Sequence, residues 1–287
     1  MPEGHTVHRL ANAFNEFFVG QVLEASSPQG RFADGAAAID GKRLLAAEAW
    51  GKQMFLGFEG DLWLRVHLGM YGMWRFDGPG LEGIGRRSRE EAAQDEEGRP
   101  VARGVVRLRL ASATHLADLS GPTICTLQSP AEKAATIADI GPDPLRAGAR
   151  PSRAWAVISR SKMAIGQLLM RQEVIGGIGN IYRAELLFRA RIEPHRPGSQ
   201  LREAQFKALW RDAQRLLRDG VRDGVIITTR PQDRPRGVPV VGRRMRRDAR
   251  SYVAFRNGEP CRVCGTPIRM EMMAGRKLYW CPVCQVG

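Results

Sequence analysis

Cys261-Arg262-Val263-Cys264, then sixteen residues, then Cys281-Pro282-Val283-Cys284: this stretch holds four of the chain's five cysteines. Two Cys-x2-Cys pairs at the ends of a hairpin can present four thiolates to one tetrahedral Zn²⁺, with no position left open for chemistry. The pattern predicts one structural zinc on Cys261, Cys264, Cys281 and Cys284. Two disulfides would use the same four residues. The opening Met1-Pro2-Glu3-Gly4-His5-Thr6 lacks the basic and apolar regions of a secretory signal, however, and a chain without one has little use for disulfides. The fifth cysteine, Cys125, stands alone and reads as a buried thiol.

Immediately before the hairpin, residues 230 to 250 carry eight arginines against Asp233 and Asp248, with three prolines that prevent a long helix. This reads as a basic flexible arm, placed at 230–256, leading into a zinc finger at 257–287. A charged run is often only a solvated face. Here the whole chain carries 44 Lys+Arg against 30 Asp+Glu, a net charge of +14, which favours a polyanionic partner through phosphate contacts and counterion release. Charge alone does not separate DNA, RNA and a membrane surface, and an arginine-rich composition would give the same excess. No run approaches the roughly 20 apolar residues of a membrane span, so a cytoplasmic protein without a membrane partner is expected.

Further outward, the pattern divides the chain. Val7, Leu10, Ala13, Phe14, Phe17 and Phe18 recur at helical spacing over residues 5 to 19, and short apolar runs at Leu44-Leu45, Met54-Leu56, Leu62-Leu64 and Met73-Trp74 read as strands between turns. Strands resume at 105–110 and 123–127, after a polar stretch at 78–104 to which no chemistry is assigned. Gly141-Pro142-Asp143-Pro144-Leu145 marks a linker, 141–150. Beyond it, helices are expected at Ser152–Ser159, Met163–Met170, Asn180–Arg189 and Arg202–Gly220. The fold class is therefore α+β: an antiparallel β domain with an N-terminal helix (1–140), a helical domain (151–229), and the zinc hairpin. Gly176-Gly177-Ile178-Gly179 before the third helix lets backbone approach a ligand closely and could hold a phosphate. As a bare pattern it suits close helix packing better, and it lacks the strand and lysine of nucleotide-binding loops.

These pieces occur in one order: Pro2-Glu3-Gly4, Gly51-Lys52, His67-Leu68-Gly69-Met70-Tyr71-Gly72-Met73-Trp74-Arg75, Gly141-Pro142-Asp143-Pro144-Leu145, Gly179-Asn180-Ile181-Tyr182 and the four-cysteine hairpin. Together they resemble the formamidopyrimidine-DNA glycosylase/endonuclease VIII (Fpg/Nei) family over nearly the whole chain. Tyr71 to Arg75 and Gly4 look more like the Nei branch, and the arginine-rich arm is similar to actinobacterial members.

The resemblance implies a base-excision repair enzyme that removes an oxidised base, mainly a pyrimidine, from damaged DNA and cuts the strand at the abasic sugar by β or β,δ elimination. It further implies an N-terminal β-sandwich and a helix-two-turn-helix domain. Pro2 would be the nucleophile once Met1 is removed, because a free α-amine titrates far below a lysine. Glu3 would shuttle protons, and Lys52 would contact the target nucleotide. Met70 and Tyr71 would fill the space left by an extruded base. Asn180 and Arg276 would grip backbone phosphates. Each residue also has a plain structural reading: Pro2 and Glu3 as helix-entry residues, Lys52 and Arg276 as solvated cations, Met70 and Tyr71 as core packing. The family's Arg-x-Phe-Gly turn is replaced here by Asp118-Leu119-Ser120-Gly121-Pro122-Thr123, a departure from the family's pattern for reading the opposite strand. A monomer is expected, with no nucleotide cofactor, used at the nucleoid, other repair or replication proteins being possible partners. Two other functions fit less of the pattern: an Fpg-like preference for oxidised purines, and a non-catalytic zinc-containing DNA-binding protein.

Overall fold

A computed structural model describes residues 2–81, 83–85, 101–102, 104–234, 245–246 and 249–286. The chain divides into two compact units. The first takes residues 6–138 with Pro2, and the second takes Glu3–His5 with residues 139 onward.

The first unit opens with α1 (Gly4–Phe17). Val7, Leu10, Phe14 and Phe18, spaced one helical turn apart, are all buried. Then come β1 (Val22–Ser26), α2 (Ala33–Ile39), β2 (Lys42–Trp50), β3 (Gln53–Phe58), β4 (Leu62–His67), β5 (Met73–Asp77), β6 (Val106–Ala111), β7 (Leu116–Ser120), β8 (Ile124–Gln128) and α3 (Pro130–Ala138). The strands are antiparallel in the order β5-β7-β6-β1-β2-β3-β4-β8. β1 joins two halves: Val22 and Leu23 pair with β2, whereas Glu24 to Ser26 pair with β6. Register shifts in β2 and β6 bend the halves. Leu56, Leu64 and Val66 from one half meet Leu108, Leu110 and Leu119 from the other in a single core with α1. Phe14 sits at its centre, edge-on to Trp74 at 4.9 Å. The expected antiparallel sandwich with its N-terminal helix is therefore found. α2, α3, β1 and β7 were not anticipated. The run at 78–104 falls largely outside the described residues.

The second unit contains α4 (Pro151–Ile158), α5 (Ile165–Leu168), α6 (Asn180–Arg189) and α7 (Glu203–Asp223). α5 is a single turn, shorter than the expected Met163–Met170. α7 runs three residues past Gly220, to the left-handed Gly224 that stops it. Phe206, Leu209, Trp210, Ala213, Leu216 and Leu217 give α7 one apolar stripe, packed with Ile158, Leu168, Ile178 and Leu187. The Gly141–Pro144 stretch is buried: Gly141 N–H donates to Gln172 O at 2.8 Å, and Gly176 N–H to Pro142 O at 3.2 Å. Of the basic stretch, residues 235–244 and 247–248 lie outside the described residues. Its end is anchored by Glu185 of α6, which is fully buried and accepts the N–H groups of Tyr252, Val253 and Ala254, each at 2.8 Å. β9 (Arg269–Met273) and β10 (Arg276–Trp280) form the terminal hairpin, turning at Ala274 and Gly275 with φ of 48° and 72°.

Candidate active site

Glu3 is the most constrained residue of the site. Its side chain is 0% exposed, and a carboxylate removed from water needs strong donors. Three backbone N–H groups supply them: Gly179 at 3.0 Å and Tyr182 at 3.2 Å to Oε2, and Ile181 at 2.7 Å to Oε1. They belong to the first turn of α6, where N–H groups have no helical partner and the dipole favours negative charge. Only glycine fits at 179, since a Cβ there would lie 2.4 Å from Glu3 Cδ. Gly4 N–H adds a bond to Gly177 O at 2.8 Å. The glycine-rich turn therefore takes an internal carboxylate, and the N–H groups of Gly179, Ile181 and Tyr182 are occupied by it. Pro2, half-buried, is bonded directly to this fixed residue.

Asn180 is only 6% exposed. Its Nδ2 donates to Lys277 O at 2.8 Å, and its Oδ1 accepts from Arg183 Nη2 at 2.6 Å. Arg183, fully buried, also donates from Nη2 to Lys277 O at 3.1 Å, while Nε and Nη1 have no partner among the described residues. Burial pushes its pKa down to about 10, with Arg276 adding to that and Glu3 and Glu271 opposing it. The same surroundings act on Tyr182: burial first, then Glu3, Asp219 and Asp223, hold its phenol well above the usual value. Lys277 O thus joins α6 to β10, with the exposed Arg276 as its neighbour at the hairpin tip. Arg183 was not anticipated. The available signal was its position three residues after Asn180, which puts both on one helix face.

In the first unit, Lys52 lies in the β2–β3 turn, half-buried. His67 ends β4. Burial, with the charges of Lys52 and then Arg65, holds its imidazole below the ordinary value. His67 lies within the quoted motif but drew no role from the sequence. Beyond it the chain makes a tight turn. Gly69 N–H bonds His67 Nδ1 at 3.1 Å, Gly72 N–H bonds Leu68 O at 2.8 Å, and Gly69 sits at φ 63°. A Cβ on Gly69 would come within 2.3 Å of Thr123. The turn carries Met70 at 44% and Tyr71 at 78% exposure, so neither packs in the core. Where the Arg-x-Phe-Gly wedge would be expected, Asp118 is instead forked onto Arg109 at 2.8 and 2.9 Å within the sheet. Gly121 and Pro122 follow in a short turn, so no large apolar side chain projects there.

The four cysteine sulfurs lie within 4.8 Å of one another. Cys261 Sγ is 3.8 Å from Cys284 Sγ, and Cys264 Sγ is 3.5 Å from Cys281 Sγ. Zn–S bonds of about 2.3 Å at tetrahedral angles put sulfurs about 3.8 Å apart, whereas a disulfide needs about 2.05 Å. The N–H groups of Val263 and Cys284 point at the sulfurs of Cys261 and Cys281. The site fits one zinc with four protein ligands, and its role is structural.

Comparison with known proteins gives the same arrangement. The formamidopyrimidine-DNA glycosylase N-terminal domain matches residues 1–120, the formamidopyrimidine-DNA glycosylase H2TH domain 140–231, and the zinc finger found in FPG and IleRS 258–286. Endonuclease 8 1 of Mycobacterium tuberculosis is 45% identical over 285 residues, covering 99% of this chain and 100% of the relative. The formamidopyrimidine-DNA glycosylase of Thermus thermophilus is 28% identical, covering 99% and 98%. In fold, the chain is similar to Lactococcus lactis Fpg solved with abasic-site DNA, at a TM-score of 0.75 and 22% identity over 99% of each chain. With that end-to-end identity and the three domain matches in their expected order, the chain belongs to the Fpg/Nei family of base-excision repair DNA glycosylases.

Proposed function

We propose that the protein excises oxidised bases, mainly pyrimidines, from damaged DNA and then cuts the strand as an abasic-site lyase, with Pro2 as nucleophile. The observation that carries this reading is the burial of Glu3 under three α6 N–H donors, which holds the residue next to the amine in one position.

Once Met1 is gone, the Pro2 nitrogen lone pair forms a bond to C1′ and the glycosidic bond breaks, its electrons leaving with the base. The nitrogen then gives up its proton and its lone pair opens the sugar ring to an iminium as the ring oxygen takes up a proton, Glu3 mediating both transfers. Because proline is a secondary amine, this iminium has no N–H to lose, so its charge stays and acidifies C2′–H. Loss of that proton and departure of the 3′-phosphate cut the strand, and water then releases the sugar from Pro2. Lys52 serves the target nucleotide's phosphate or sugar oxygen. Tyr71 and Met70, exposed on a rigid turn, fill the vacated stack. Asn180, through its second Nδ2 hydrogen, and Arg276 grip phosphates. The zinc has no part in these steps; it holds the hairpin that carries Arg276. The protein acts as a monomer at the nucleoid. No described helix is long and apolar enough to cross a membrane.

Borohydride trapping on abasic duplex, read by intact mass, tests the reading. Protein that has lost Met1 should give a covalent adduct, and Pro2→Gly should lower its yield at least tenfold. Correctly processed protein that gives no adduct would overturn the catalytic reading in favour of a plain DNA-binding protein. A panel of single-lesion duplexes then ranks pyrimidine against purine excision by rate.

A further inference from the structure

Trp63, Arg65 and His67 alternate along β4 on the face opposite the buried Leu64 and Val66. The Trp63 end is covered by α3, whose Lys133 ammonium lies 3.1 Å over the indole and pairs with Glu48 at 2.7 Å. Arg65 and His67, further along, are half-buried. Arg65 donates from Nε to Gln53 Oε1 at 3.1 Å, and the rest of its fork has no partner among the described residues. Gln53 lies opposite His67 in the β3–β4 register and follows Lys52 in sequence. His67 Nδ1 accepts the Gly69 N–H, so the neutral ring presents Nε2–H as its donor. The like charges of Lys52 and Arg65 both act on His67, and no carboxylate is among the groups shifting either His67 or Arg65.

A guanidinium with both terminal nitrogens unpaired, on a sheet face shared with the neutral His67 donor and near the charge of Lys52, is arranged to receive a planar or tetrahedral oxyanion. We propose that Arg65 contacts the DNA backbone. The outer face of β4, between β3 and β8, then holds a phosphate subsite about 7 Å along the strand from His67, beyond the nucleotide that Lys52 serves. The assignment rests on the reading of Lys52 given above. It binds through charge, so it strengthens association with any duplex and reads no sequence.

The test is fluorescence anisotropy with two duplexes, one undamaged and one with a non-cleavable abasic analogue, from about 50 to about 200 mM salt. Arg65→Gln should reduce the slope of log K against log salt by about 0.9. It should weaken both duplexes by the same factor, about tenfold at the lowest salt. Arg65→Met, which keeps the aliphatic stem against the sheet, should behave alike, and Arg65→Lys should restore the slope. An unchanged slope in Arg65→Gln or Arg65→Met that melts like wild type overturns the subsite. Wild-type protein that binds with the full slope but yields no borohydride adduct would sink the catalytic reading and leave this one standing.

Discussion

Glu3 shows how much of a residue's setting could be read in advance and where the physics lay hidden. The sequence places an acid beside Pro2; its burial depends on backbone groups more than 170 residues away, beyond any local pattern. Glu3→Gln should be costly. The amide nitrogen cannot accept, so it loses at least one of the three bonds and sets donor against donor, about 1–3 kcal/mol in denaturant unfolding. His67 makes a second test. Its pKa is lower when folded than unfolded, so the unfolded chain binds more protons between the two values. Its stabilising contribution is complete above about 6.5 and is lost as pH falls through the folded value. NMR titration of the ring should show a midpoint below 6.5, and Lys52→Met should raise it. Asn180 and Arg276 were legible as polar residues at motif positions. Arg183 was not, because a buried arginine inside a helix resembles a solvated one until its neighbours are known.

Among the elements, those with strong periodicity were legible: α1, α6, α7 and the β3–β4 hairpin. α2 and α3 were missed because their sequences, Ala33-Asp34-Gly35-Ala36-Ala37-Ala38-Ile39 and Pro130-Ala131-Glu132-Lys133-Ala134, carry few large apolar groups to mark a face. β1 and β7 are short and take their place from pairing within the sheet. The β4–β5 turn could be read as core or as wedge, and the exposure of Tyr71 rules out the core reading. Tyr71→Ala should leave stability within about 0.5 kcal/mol of wild type. Excision from duplex should fall by roughly 10- to 100-fold in kcat/KM, the loss of one stacking surface. The zinc hairpin shares a small core with α6, Ile268 and Tyr279 clustering with Ala184, Phe188, Tyr252 and Val253, and is tied to α6 through Lys277 O. A strong chelator should remove one zinc per chain by elemental analysis and weaken DNA binding at least tenfold, with recovery on adding zinc. Full binding by metal-free protein would contradict the hairpin's role.

For the whole molecule, the order of the motifs carried most of the assignment, and the net charge of +14 added only direction. The expected linker at 141–150 starts as a pinned segment, because Gly141 and Pro142 bond the turn that precedes α6. Proline content suggested a break in the chain; it could not show that the break is buttressed. The first residues also hold a surprise in belonging: Glu3 to His5 group with the second unit, whereas the remainder of α1 groups with the first. That anchoring has a practical side for anyone preparing the protein. With Glu3 fixed, each residue left ahead of Pro2 by a cloning scar can displace the terminal nitrogen by up to about 3.5 Å and turns the proline amine into an amide. If Pro2 is the nucleophile as proposed, a preparation carrying an uncleaved leader should still hold its zinc yet give no borohydride adduct, so the mass of its first peptide is the proper assay of its quality.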